Sequence, residues 1–157
     1  MITVSDRAAA GEREDLSGPA IVEALAAAGY ASTVAVVPDG EPSVATALRT
    51  ALADGARFVV TTGGTGVGPR DRTPDATRTV IDRELPGVAE LLRAEGRTHS
   101  VHAALTRGLA GVTAATDAQP AALVVNLPGS PKAAREGIAV LLELLPHILD
   151  QLDGGDH

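Results

Sequence analysis

Short apolar runs of strand type alternate with longer stretches of helical period along the whole 157-residue chain, and that alternation leaves few folds open. Met1–Val4, Ser32–Val37, Phe58–Thr62 and Ala121–Leu127 read as strands, the first of them short for a buried one. Between them, Ile21, Val22, Leu25 and Ala28 repeat at helical spacing up to Gly29, and Val44, Leu48, Ala51 and Leu52 do so up to Gly55. Ser17 and Thr73 read as N-caps, Thr73 with Pro74 and Asp75 in the first turn, and Ser130-Pro131 repeats that signature. The helical pattern after Thr73 breaks at Pro86-Gly87 and resumes through Leu92. The last helix runs from Ala134 to Leu152, with a kink expected at Pro146. Residues 98–119 carry no clear period. Strands separated by helices of this length predict an α/β fold, a mostly parallel central sheet with helices on both faces. One domain over 1–152 is expected, with a frayed tail at 153–157.

The unusual residues gather after the strands. Ser5-Asp6-Arg7, Pro38-Asp39-Gly40, Thr62–Gly66 and Asn126–Ser130 each follow one of the four runs. Parallel strands would place all four loops on one edge of the sheet, where ligands bind in such folds. Thr61-Thr62-Gly63-Gly64-Thr65-Gly66 can bring several backbone N–H groups together with no Cβ in the way, which suits a phosphate. It is neither a Walker A loop nor a dinucleotide-binding fingerprint, because the lysine and the glycine spacing are wrong. Asp71 stands between Arg70 and Arg72, and Asp39 sits in the turn after the second run. Two carboxylates flanking an anion nest form the minimum equipment for metal-assisted phosphoryl or nucleotidyl transfer, with Mg2+ on the acids. The alternative for each is local: Asp39 as a turn former, Asp71 as an aid to the helix start.

Composition removes other classes. The absence of cysteine excludes disulfides, thiolate nucleophiles and cysteine-held metals. A net charge of -7 and an aromatic content of 1% argue against nucleic acid, which needs clustered cations and stacking platforms. No apolar stretch is long enough to span a bilayer, and the first residues lack a leader's apolar core, so a cytoplasmic location is expected. The four histidines, His99, His102, His147 and the terminal His157, form no convincing triad, and no Gly-x-Ser-x-Gly elbow is present.

In order along the chain, Ser5-Asp6-Arg7, Pro38-Asp39, Thr61–Gly66, Arg70-Asp71-Arg72-Thr73-Pro74, Leu85-Pro86-Gly87 and Asn126-Leu127-Pro128-Gly129-Ser130-Pro131-Lys132 resemble the MoaB/Mog family of molybdenum cofactor biosynthesis. The resemblance spans essentially the whole chain. It implies a three-layer α/β/α sandwich, commonly a homotrimer. It implies Mg2+-dependent transfer of AMP from ATP to the terminal phosphate of molybdopterin, with a molybdenum insertase downstream. On the same likeness, Asp39 and Asp71 are the catalytic, metal-holding acids. Thr62, Gly63, Gly64, Thr65 and Gly66 hold phosphate, and Ser5, Asp6, Asn126, Pro128, Gly129 and Ser130 surround the pterin and its phosphate. A catalytically silent molybdopterin carrier of the same pathway and a Mg2+-dependent pyrophosphatase are the other readings.

Overall fold

A computed structural model describes residues 1–155. Six strands form one sheet: β1 (Ile2–Val4), β2 (Ala35–Val37), β3 (Phe58–Thr62), β4 (Arg83–Glu84), β5 (Ala110–Val112) and β6 (Leu123–Leu127). Their spatial order is β2-β1-β3-β6-β5-β4. β1 pairs in parallel with β2 and β3, and β3 with β6, while β5 lies antiparallel to both β6 and β4. The expected mostly parallel sheet is present, and the four loops singled out above leave one edge of it.

Strand periodicity builds the two faces. Val60, Leu123, Val125 and Leu127 pack under α2 (Ser17–Ala27) and α6 (Pro131–Leu152), against Ile21, Leu25, Ile138, Leu141 and Leu145. Their neighbours Val59 and Val124, with Ile2 and Val4, face α3 (Glu41–Ala53) and α4 (Thr73–Arg78), against Val44, Leu48, Leu52 and Ala76. Helix, sheet and helix make three layers. Chain order reverses between β1 and β3, since β2 lies to one side and β6 to the other. Such a switch point opens a crevice at the carboxyl ends of the strands.

Several local expectations shift. The Ser5-Asp6-Arg7 segment opens a short helix, α1 (Asp6–Ala9), with the Ser5 side chain accepting from Ala8 N. Ser17 does not cap α2: the Asp15 carboxylate accepts from the N–H groups of Ser17 and Gly18, 3.0 Å each, and the Ser17 hydroxyl donates to Gly129 O at 2.9 Å instead. Thr73 is the first helical residue of α4 rather than its cap. The helix expected to continue toward Pro86 ends at Arg78, β4 intervenes, and α5 (Pro86–His99) follows. The patternless stretch holds a 3-10 turn, Val101–Leu105, and strand β5. Ser130 caps α6 as expected, and Pro146 sits within that helix without ending it. At the C-terminus, the N–H groups of Asp153, Gly154 and Gly155 are hydrogen-bonded to the last turn of α6; the remaining two residues, His157 among them, lie outside the described residues.

Candidate active site

The crevice is built from loops that hold one another by backbone. The Asp39 carboxylate accepts from Asp6 N at 2.9 Å, and the Asp6 carboxylate accepts from Asp39 N at 3.0 Å, so the loops after β1 and β2 are tied by a reciprocal pair. Arg70 adds an ion pair to Asp6 at 2.7 Å and a hydrogen bond to Asp39 O at 3.1 Å. Ser5 N donates to Val37 O, closing the same corner.

The glycine loop after β3 lies over the switch point. Gly63 and Gly64 adopt φ of +102° and +61°, a region that favours residues without a Cβ. A Cβ on Gly63 would run into the Val4 carbonyl, so this turn requires glycine on two counts. Gly63 N donates to Leu127 O, the Thr62 hydroxyl to Pro128 O at 2.8 Å, and Gly129 packs so that its own Cβ would stand 3.1 Å from Gly63 Cα. The two glycine-bearing turns, Gly63–Gly66 and Pro128–Ser130, are thus pressed together.

The two candidate acids meet this loop at opposite ends. Asp39 Oδ1 lies 3.3 Å from where a Gly64 Cβ would be, and Asp71 Oδ2 lies 2.8 Å from the Gly66 position while accepting from Gly68 N at 2.8 Å. Each acid commits one oxygen to backbone, Asp39 Oδ2 and Asp71 Oδ2, and keeps its other oxygen without a hydrogen-bond partner among the described residues. Hard cations take such carboxylate oxygens, so each acid has the donor chemistry that Mg2+ uses.

Two cavities flank the loop. The smaller, about 230 Å3, is bounded by Ser5, Arg13, Asp15, Asp39, Gly63, Gly64 and Gly129. The larger, about 350 Å3, has Thr65, Gly66, Pro128 and Ser130 on its loop side and Leu92, Ala103, Leu105 and Ala133 as an apolar wall. His99 and His102 also line the larger cavity, but no cluster of three metal-ligating side chains exists among the described residues.

Not every candidate faces a cavity with a free polar atom. Asn126 is 3% exposed and its amide is fully engaged: Nδ2 donates to Thr61 Oγ1 (3.1 Å) and Thr77 Oγ1 (2.9 Å), while Oδ1 accepts from Leu109 N at 3.3 Å. Strand alternation turns it toward α4, where it braces β3, β6 and α4 together. The Thr62 hydroxyl is likewise used internally.

Arg107 was not marked by the sequence. Its Nε donates to Gly66 O at 2.9 Å, its NH2 group to Asp71 O and to Asp75 Oδ2 at 2.9 Å, and its backbone N to Thr65 O at 2.7 Å. One side chain therefore fastens the glycine loop to the Asp71 turn. The only signal available was that Arg107 is the sole charged residue in 103–116. The Arg107 hydrogen bond holds the Asp75 carboxyl below its ordinary value against the opposing effect of partial burial, with the charges of Arg107 and Arg72 assisting. Asp15 was also missed; besides capping α2 it accepts from the Thr3 hydroxyl at 2.6 Å and lines the smaller cavity.

The fold and site define a three-layer α/β/α domain with a glycine turn at the switch point and an acid at each end of that turn. The chain belongs to the MoCF_biosynth family, described as a "Probable molybdopterin binding domain", which matches residues 1–147. It is 40% identical over 150 residues to the molybdopterin adenylyltransferase of Pyrococcus furiosus, covering 95% of this chain and 87% of that one. It is 40% identical over 158 residues to a molybdenum cofactor biosynthesis bifunctional protein of Synechococcus elongatus, and there the chain spans only 48% of its relative's length. The crystal structure of the molybdopterin biosynthesis enzyme MoaB from Thermus thermophilus superposes with a TM-score of 0.86 at 44% identity, covering 98% of this chain and 94% of that one.

Proposed function

We propose that this chain is a molybdopterin adenylyltransferase, which moves AMP from ATP to the terminal phosphate of molybdopterin and releases pyrophosphate. The observation that carries the reading is the glycine turn at the switch point, with Asp39 at Gly64 and Asp71 at Gly66, each acid retaining one free oxygen. Relatives named molybdopterin adenylyltransferase at 36–40% identity support the choice of reaction.

A terminal phosphate oxygen of molybdopterin attacks the α-phosphorus of ATP. The new oxygen–phosphorus bond forms as the bond to the β-phosphate oxygen breaks, and that electron pair leaves with pyrophosphate. A phosphate monoester with a second pKa of about 6 is already largely dianionic near neutral pH, so the nucleophile needs no strong base. Backbone amides of Gly64–Gly66 and of Gly129 and Ser130 fix the reacting phosphates, while the Gly63 amide is spent on Leu127 O, and alignment of this kind supplies up to roughly 7–11 kcal/mol of a barrier. Mg2+ held by Asp39 and Asp71 would supply charge neutralisation on the triphosphate. The apolar wall of the larger cavity gives a berth for one heterocycle, and the smaller cavity opens on the other side of the same loop, so two ligands can meet over the glycines.

The direct test mixes the protein with molybdopterin, ATP and Mg2+ and follows adenylyl-molybdopterin by chromatography, beside Asp71→Asn. The asparagine oxygen keeps the Gly68 hydrogen bond, so the variant should fold and bind molybdopterin while losing turnover. Molybdopterin binding with no Mg2+-dependent product in the parent protein would refute the transferase and leave a carrier.

A further inference from the structure

Among the described residues, Thr73 Oγ1 is the one buried side-chain polar atom without a hydrogen-bond partner. The residue is 0% exposed. Its backbone is fully used: the N–H donates to Gly64 O at 3.1 Å and the carbonyl accepts from the Thr77 hydroxyl at 2.9 Å. Because Thr73 is the first helical residue, one place past the cap, its hydroxyl does not close the helix end. It is directed at Gly64 instead, where a Cβ would run into it. The same missing Cβ would stand 3.3 Å from Asp39 Oδ1, the free oxygen of that acid.

An unsatisfied buried hydroxyl is costly, and a valine of the same shape would remove the cost. Among the described residues every other buried hydroxyl is paired or reaches solvent, so the exception falls at one spot, beneath Gly64 and beside a candidate metal-holding acid. We propose that Thr73 is a ligand-contacting residue of this site, its O–H donating to a phosphate oxygen of the bound nucleotide. The inference rests on the nucleotidyl-transfer reading above. Gly64 lies against the hydroxyl, so the contact requires the Gly64 peptide to shift on ligand binding while Gly63 stays held by Leu127 O. Asp39, an acceptor only, cannot itself donate to phosphate; a neighbouring hydroxyl supplies what the acid lacks.

Thr73→Val, Thr73→Ala and Thr73→Ser test this, by calorimetric titration with Mg-ATP and with Mg-pyrophosphate and by thermal unfolding of the free proteins. Thr73→Val should melt a few degrees higher than the parent and bind both ligands about ten- to a hundredfold more weakly, the range for a hydrogen bond to a charged group. Thr73→Ser should return affinity to within about threefold. Should Thr73→Val not fold, Thr73→Ala is read for affinity alone, against the same threshold. Affinity within twofold of the parent in the hydroxyl-less variant overturns the proposal while leaving the transferase intact. Joint loss of stability and affinity in Thr73→Val assigns the residue to packing and overturns it as well. A parent protein that binds neither ligand removes the nucleotidyl-transfer reading, and this inference with it.

Discussion

Replacing Asn126 by alanine separates two roles for a residue that the sequence placed beside the pterin and the fold turned inward. The truncation removes three hydrogen bonds at a site 3% exposed. Two buried groups are left with nothing, the Leu109 N–H and the Thr61 hydroxyl. The Thr77 hydroxyl still donates to Thr73 O, so its loss is smaller. At about 1–3 kcal/mol for each orphaned group, partly relieved by local adjustment, the expected destabilisation is about 2–4 kcal/mol. For a chain of this length that lowers the melting midpoint by roughly 5–15 °C. Urea titration of parent and variant gives the free energy, and steady-state kinetics on the folded variant gives KM for molybdopterin. A brace predicts a shifted urea midpoint with an unchanged slope, and KM within about threefold. A stability change under about 0.5 kcal/mol together with a tenfold rise in KM would refute the bracing argument and restore Asn126 as a substrate contact.

Gly63→Ala should be far more damaging than an average surface change, because φ of +102° and the Val4 carbonyl both forbid the added methyl. Soluble yield and circular dichroism should show loss of the folded state or of several kcal/mol, and a variant as stable as the parent would mean that the turn relaxes freely. Asp75→Asn should destabilise at neutral pH. The folded-state carboxyl titrates below its ordinary value, so its contribution is fully present above about pH 4 and is lost as pH falls through the depressed value. Melting curves of the two proteins should therefore converge in acid, and a gap that persists at pH 2 would argue against the Arg107 pair as its source. The homotrimer implied by the family likeness predicts a trimer mass in light scattering at micromolar concentration, and a monomer mass refutes it.

The central strands and their helices were legible because each is specified locally. Val59-Val60 and Val124-Val125 alternate faces within runs that no turn residue interrupts, and glycines stop α2 and α3 where the period ends. Features that depend on distant partners were not legible. β5 is three residues centred on Gly111, where a Cβ would run into Ile81; only pairing with β6 and β4 makes it a strand. Caps at Ser17 and Thr73 were each displaced by a tertiary demand: Asp15, fixed by Thr3, takes over the start of α2, and the Thr73 N–H is drawn to Gly64. Arg107 lies in a segment whose conformation is set by the loops it fastens, so no period could mark it.

The positions of the candidate acids beside the glycine turn were legible for a related reason. Both stand in turns whose residue types are forced by backbone, and each spends one carboxylate oxygen on a neighbouring N–H: Asp39 on Asp6, Asp71 on Gly68. That use alone would give the turn-former reading for each. It also fixes the direction of the second oxygen before any ligand arrives, and the Asp6–Asp39 exchange extends the constraint to the loop after β1. On the proposed reading the structural and catalytic roles are one arrangement. A carboxylate that holds its own turn is preorganised, and preorganised charge needs little reorientation when charge develops at a reacting phosphate. The arginine on the exposed side, Arg70, pairs with Asp6 rather than with either acid's free oxygen, which leaves those oxygens available to a cation.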